Sequence, residues 1–216
     1  MEKEIISIRK IKEDGFVEQQ DVTAVEQSFE ITLQNGQTIY GTCTPTYMEE
    51  MILGSRYVSN DLTTEELKIY GLDVQKMDSL ESVSVQEIFR VAKECFEFPG
   101  SLFADTGCAH SCALIHKGNV RCQMEDIGRY NALDKVIGYA IKHQIPFSES
   151  YVFASGRISL GYIQKAVTAG FPMVVSRAAV TKAAVDFAKE KNRTLVGFIR
   201  KNSGNIYNEG KVQLHE

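Results

Sequence analysis

From residue 111 onward, short apolar runs alternate with amphipathic segments of helical period, and this alternation limits the fold more than any other feature of the chain. YVFAS (151–155), PMVVS (172–176) and TLVGFI (194–199) have the length and composition of buried strands. Between and before them, residues 130–143, 159–169 and 180–191 space their apolar side chains for one helical face, as Leu133, Val136, Ile137 and Ala140 do in the first. Residues 111–117 and 120–124 add two strands on either side of Lys117-Gly118-Asn119. Strands and helices joined by short connections define an α/β (mixed α+β) fold, with a sheet, at least partly parallel, covered by helices. Loops at strand ends are where such sheets bind ligands.

The N-terminal half reads differently. Residues 4–12 and 28–34 alternate as strands, Asn35-Gly36 supplies a two-residue turn, and QTIYGTCT returns as the partner of the second. Tyr47, Met48, Met51 and Ile52 share a helical face. Thr63 with Glu66, and Ser84 with Glu87, are spaced as reciprocal helix caps, the second before Val85, Ile88, Phe89 and Ala92. The change of pattern and Pro99-Gly100 divide the chain into an N-terminal β/helical subdomain, 1–100, containing the hairpin, and a C-terminal domain, 101–216.

Composition narrows the class. A chain of 216 residues with 44% apolar content buries one large core or two modest ones. Its net charge of −4 weighs against a nucleic-acid surface. No apolar run approaches the roughly eighteen residues of a membrane span, and Met1-Glu2-Lys3-Glu4 is too acidic to open a signal peptide, so a soluble, cytoplasmic protein is expected. Five cysteines cannot all pair, and reduced thiols are expected.

Reactive side chains concentrate between Phe103 and Asn131, which hold three of the five cysteines. Cys108 and Cys112 flank His110 at a spacing of two, so on an extended chain all three share a face, and a thiol beside an imidazole can be held as the reactive thiolate. The competing reading is a small apolar filler, which suits Cys43, Cys95 and Cys122 best. A zinc site is the third possibility. The paired ligand spacings of structural zinc and the His-x-Glu and Pro-Cys-x-x-Cys pattern of zinc deaminases are both missing. Glu125, Asp126, Gly128, Arg129 and Asn131 precede a helix, where acidic residues cap and where an arginine beside a glycine also suits phosphate. Ser155-Gly156-Arg157 has the same character, and Phe198-Ile199-Arg200 ends the last strand on another arginine. Three arginines at such turns suggest a phosphate-bearing ligand.

Thr106-Gly107-x-x-His110, EDIGRYNALDKVIG (125–138), SGRIS (155–159), Lys165 before AxxAGFP, and GFIR before NIY (197–207) together resemble the formate dehydrogenase accessory sulfurtransferase family, FdhD. The N-terminal half resembles it more loosely, through Leu33 to Gly36, Thr44-Pro45 and Leu53-Gly54. The resemblance implies a cytidine-deaminase-like C-terminal part without zinc chemistry. It also implies transfer of sulfur, as a cysteine persulfide, from a cysteine desulfurase to the molybdenum bis-guanine-dinucleotide cofactor of the formate dehydrogenase apo-enzyme. The nucleotide pocket it implies comprises Thr106, Gly107 and His110; Glu125, Asp126, Gly128, Arg129 and Asn131; Ser155, Gly156 and Arg157; and Phe198, Ile199, Arg200, Lys201, Asn202 and Ser203.

The chain departs from the family pattern. Family members carry a Cys-x-x-Cys loop whose first cysteine is the persulfide carrier, and here the segment from Leu80 to Phe103 has only Cys95. The second glycine of the turn is Cys108, and the family's histidine before Asn131 is Tyr130. Cys108, with Cys112 second, is then the carrier expected. The alternatives are a binding or chaperone module that has lost sulfur transfer, and a metal-dependent hydrolase of the deaminase-like kind. A homodimer is plausible because two-fold assemblies are the commonest.

Overall fold

The structure, a computed structural model, describes residues 2–72, 79–97 and 101–216. Pro99-Gly100 lies outside the described residues.

Among the described residues the main sheet has six strands. These are β6 (His110–His116), β7 (Asn119–Asp126), β8 (Ser150–Ala154), β9 (Met173–Ser176), β10 (Thr194–Gly197) and β11 (Asn205–Asn208), in the spatial order β11-β10-β9-β8-β6-β7. Strands β8, β9 and β10 run parallel; β6 is antiparallel to β8 and to β7, and β11 to β10. The carboxyl ends of β7, β8, β9 and β10 and the amino end of β6 therefore meet along one edge.

Register aligns two apolar rows across four strands. Leu114, Val152, Val174 and Leu195 are successive partners, and all face one core. Ala113, Phe153, Val175 and Val196 form the next row and face the opposite core, as the period of two requires. Helices α5 (Arg129–Lys142), α6 (Leu160–Ala169) and α7 (Lys182–Glu190) cover the first face, and α3 (Val85–Phe96) covers the second. Fully burying a side chain such as Leu114 contributes about 1.5–3 kcal/mol, so these rows dominate the stability of the sheet.

Both cores draw on residues from either side of residue 100. Helix α1 (Met48–Val58) lies on α5 with backbone against backbone: a Cβ on Gly54 would stand 2.1 Å from the Asp134 carbonyl oxygen, and one on Gly138 would stand 1.9 Å from that of Glu50. The strand β5 (Ser82–Ser84) pairs in parallel with β12 (Gln213–His215) at the far end of the chain.

The expected N-terminal elements form, with differences. β1 (Lys3–Lys12) pairs over its whole length with β2 (Gly15–Ala24), a strand whose mostly polar sequence gives no alternation to read. Between β3 (Gln27–Thr32) and β4 (Thr38–Cys43), Leu33 N–H donates to the Gln37 carbonyl at 2.8 Å and Gly36 N–H to that of Leu33 at 2.9 Å. The loop is thus three residues, Gln34 to Gly36, with Gly36 at φ +82°, rather than two. At α2 (Thr64–Ile69) both halves of the Thr63–Glu66 capping box are made. At α3 only half is: Ser84 Oγ accepts from Glu87 N–H at 3.1 Å, while the Glu87 carboxylate accepts from the Tyr151 hydroxyl at 2.9 Å. No helix among the described residues is long and apolar enough to cross a membrane.

Candidate functional site

Sheet register assembles the edge. The His110–Asp126 and Ser111–Glu125 pairs set the turn before β6 beside the end of β7. Ser155 N–H donates to the Ser111 carbonyl at 2.9 Å, and Ser111 N–H donates to Ser155 Oγ at 2.8 Å, which locks β8 alongside. Arg177 N–H reaches the Ala154 carbonyl at 2.9 Å and Ile199 N–H that of Ser176 at 3.1 Å, bringing the ends of β9 and β10 into line.

The turn itself differs from the expected extended start of a strand. A short helix, α4 (Leu102–Thr106), precedes it, and Glu125 holds that helix by accepting from Leu102 N–H at 2.6 Å and Phe103 N–H at 3.2 Å. Thr106 Oγ1 donates to the Leu102 carbonyl at 2.7 Å and accepts from Cys108 N–H at 3.1 Å. Gly107 ends the helix at φ +66°, a conformation glycine enters without steric penalty. Cys108 consequently stands in the turn, ahead of β6 and exposed, and does not share a strand face with Cys112.

Cys112 is wholly buried. Its thiol is pushed up to about 12 by burial, and the Tyr162 hydroxyl lies 3.5 Å from its sulfur. Burial likewise pushes Cys95 up to about 12 and raises Cys122 and Cys43. The thiolate is the nucleophile, so these four thiols are poorly placed to react.

An open cavity of about 650 Å³ runs along the edge on the side of α3. Cys108, His110, Ser155 and Arg200 line it, together with Gly107, Glu125 and residues that sequence reasoning missed, among them Phe96, Phe103, Ser111 and Arg177. Ser176-Arg177 at the end of β9 resembles Ser155-Gly156-Arg157 after β8, and that resemblance was the available signal. Arg177 lies over the Phe96 ring, its Cζ 4.6 Å from the centroid, and Arg200 lies over Phe198 at 5.6 Å.

His110 is close-packed. A Cβ on Gly156 would stand 3.0 Å from His110 Nδ1, tighter than ordinary contact, and 3.6 Å from Arg129 Cβ, so the glycine lets the imidazole pack close. Burial, and then the positive charges of Arg129 and Arg157, hold the imidazole below its ordinary value. Arg129 is the first residue of α5, with its guanidinium 4.9 Å from the Tyr130 ring centroid and its buried Nε without a hydrogen-bond partner. Arg157 projects into solvent nearby.

Other expected site residues serve the scaffold. Asp126 is fully buried and accepts from Thr44 N–H at 3.0 Å, Thr44 Oγ1 at 3.1 Å, Gly128 N–H and Asn131 Nδ2, each at 2.9 Å, and from the equally buried Lys135 at 2.8 Å. With its lone pairs so occupied, it ties α5 and the N-terminal segment to β7. Asn131 also donates to the Thr42 carbonyl at 2.8 Å. Ile199 is core; Lys201, Asn202 and Ser203 are exposed beyond the cavity wall, where the Ser203 carbonyl accepts from Arg200 N–H at 2.8 Å. No three of the described His, Cys, Asp and Glu side chains converge as metal ligands.

Fold and site together define an α/β protein that opens a cavity on the carboxyl edge of its sheet, with one exposed thiol and two arginines, Arg177 and Arg200, on its wall. The chain matches the model of the FdhD/NarQ family over residues 70–212, two thirds of its length. It belongs to that family. It is 41% identical over 133 residues to the "Sulfur carrier protein FdhD" of Wolinella succinogenes, a match covering 61% of this chain and 46% of that one. It is 28% identical over 223 residues to the "Protein FdhD" of Methanocaldococcus jannaschii, covering 96% and 97%. Thus the chain spans about half the length of the first relative and nearly all of the second. A solved structure assigned as a formate dehydrogenase accessory protein of Desulfotalea psychrophila superposes with a TM-score of 0.80 at 22% identity, over 95% of this chain and 96% of that one, and so shares the fold.

Proposed function

We propose that this chain serves the maturation of formate dehydrogenase in the cytoplasm, carrying sulfur on Cys108 and presenting it to the molybdenum bis-guanine-dinucleotide cofactor held in the edge cavity. The observation that carries this reading is the placement of Cys108: the one exposed thiol of the five, on the wall it shares with His110, Ser155 and Arg200. The names of the relatives, sulfur carrier and formate dehydrogenase accessory protein, support the same role. The cofactor is cargo, and the cavity fits a phosphate-bearing cargo. Arg177 and Arg200 line the wall, and Arg129, with a buried Nε that has no partner at the start of α5, lies with Arg157 within electrostatic reach of His110 on that wall, a set suited to phosphate oxygens.

Loading is a thiol exchange. The Cys108 thiolate attacks the terminal sulfur of a cysteine desulfurase persulfide, a Cys108 S–S bond forms as the donor's breaks, and the donor leaves as its thiolate. The neutral imidazole of His110, on the same wall, is the available acceptor for the thiol proton.

Incubation with a cysteine desulfurase and cysteine, followed by peptide mass spectrometry, tests the reading. One added sulfur is expected on Cys108, retained in Cys112→Ala and lost in Cys108→Ser. Absence of a persulfide on any cysteine, with binding of guanosine diphosphate retained, would leave a cofactor-binding module without sulfur transfer.

A further inference from the structure

The end of the cavity nearest α3 takes no part in sulfur loading. Phe96, the last residue of α3, is 37% exposed on the cavity lip, its ring set edge-on against Phe153 beneath at 5.4 Å and 61°. A large aromatic ring fixed from below is a base on which a flat group can be held. Arg177 already occupies the ring face at 4.6 Å. Among the described residues, its side chain makes no ion pair and no hydrogen bond. Its own carbonyl accepts from Arg200 Nη1, which ties the second arginine–aromatic pair, Arg200 over Phe198, to the first. A guanidinium carried on an aromatic ring is a planar, delocalised cation, and nucleobases stack on such planes.

We infer that the Phe96–Arg177 pair is the stacking platform for a purine base at the β9 end of the cavity. This rests on the nucleotide-binding reading and assigns the two ends of the site. β9 lies two strands from β6, a separation of about 10 Å. A base at Arg177 therefore leaves its ribose over Ser155 and its phosphates toward His110, behind which Arg129 lies. The platform offers a face rather than a set of edge donors and acceptors. It selects rings by stacking area, purine above pyrimidine, and distinguishes weakly between purines.

Calorimetric titration with guanosine diphosphate, cytidine diphosphate and inorganic pyrophosphate tests this. In the wild-type chain guanosine diphosphate should bind more tightly than cytidine diphosphate. Phe96→Leu and Arg177→Gln should each weaken guanosine diphosphate about tenfold or more while leaving pyrophosphate affinity unchanged, the pyrophosphate result also showing that the site has folded. Arg177→Lys keeps the charge and loses the plane, so it should behave like Arg177→Gln. Undiminished guanosine diphosphate affinity in these variants, or full rescue by lysine, would overturn the platform while the phosphate-binding reading survives. A wild-type chain that binds none of the three ligands would overturn both.

Discussion

At His110, burial and two guanidinium groups act in the same direction, holding the imidazole below its ordinary value of 6.5. In the window between that lowered value and 6.5 the unfolded chain binds the proton and the folded one does not. The contribution of His110 to stability is thus present above 6.5 and is lost as the pH falls below it. Melting temperature measured from pH 8 to pH 5 should decline along this limb in the wild-type chain, and the decline should be shallower in His110→Gln. An unchanged slope would mean that the imidazole is not buried against Arg129 as described. Side-chain chemistry in this stretch was legible as a cluster, because the residue types stand out in any conformation. Their grouping was not. An extended reading puts Cys108 on the face of His110 and Cys112. The helical turn of α4 and Gly107 at φ +66° move Cys108 into the open and leave Cys112 in the core with Tyr162. Ser101, which caps α4 by accepting from Ala104 N–H at 3.0 Å, is the one local signal of this five-residue helix; the rest of its support is a carboxylate from another strand, Glu125.

Elements longer than about two turns carried their own signal. The helices α1, α3, α5, α6 and α7 were visible in period, and the buried strands β8, β9 and β10 in composition. The strands that escaped are those stabilised by partners rather than by pattern. β12 is three residues paired with β5 across most of the chain, and β2 is a polar strand of a hairpin open to solvent. Packing between elements was equally hidden, and Gly138 shows why. In sequence it is a weak point of a helix; in the structure it is where α1 lies against α5, with room for no Cβ. Gly138→Ala should therefore destabilise the chain by about 1–3 kcal/mol, as overpacking does, against a helix-propensity gain of up to about 1 kcal/mol in isolation. Denaturant unfolding measures this directly. A stabilised variant would show that the two helices can separate without cost.

On the scale of the whole molecule, a change of pattern near residue 100 suggests two domains, yet the cores are shared across it. Leu53 of α1 belongs to the core beneath α5, α6 and α7, and Val83, Ile88 and Val91 belong to the core on the other face of the sheet. Thr44 hydrogen-bonds the Asp126–Lys135 pair, so the segment before residue 100 also satisfies buried charge in the segment after it. Removing one partner from such a group leaves a buried charge poorly compensated, at a cost of about 3–5 kcal/mol where it is an ion-pair member, a large share of the roughly 5–15 kcal/mol that holds a typical domain folded. Residues 101–216 expressed alone would bare the α3 face of the sheet and the α1 face of α5 together. That fragment should lose its cooperative unfolding transition and bind a hydrophobic dye. It should also fail to bind guanosine diphosphate, because Phe96 and the wall it forms are gone. Co-expression with residues 1–100 should restore all three properties. A sharp transition in the fragment alone would show that the C-terminal sheet folds without the helices that cover it, and that residue 100 is a domain boundary after all.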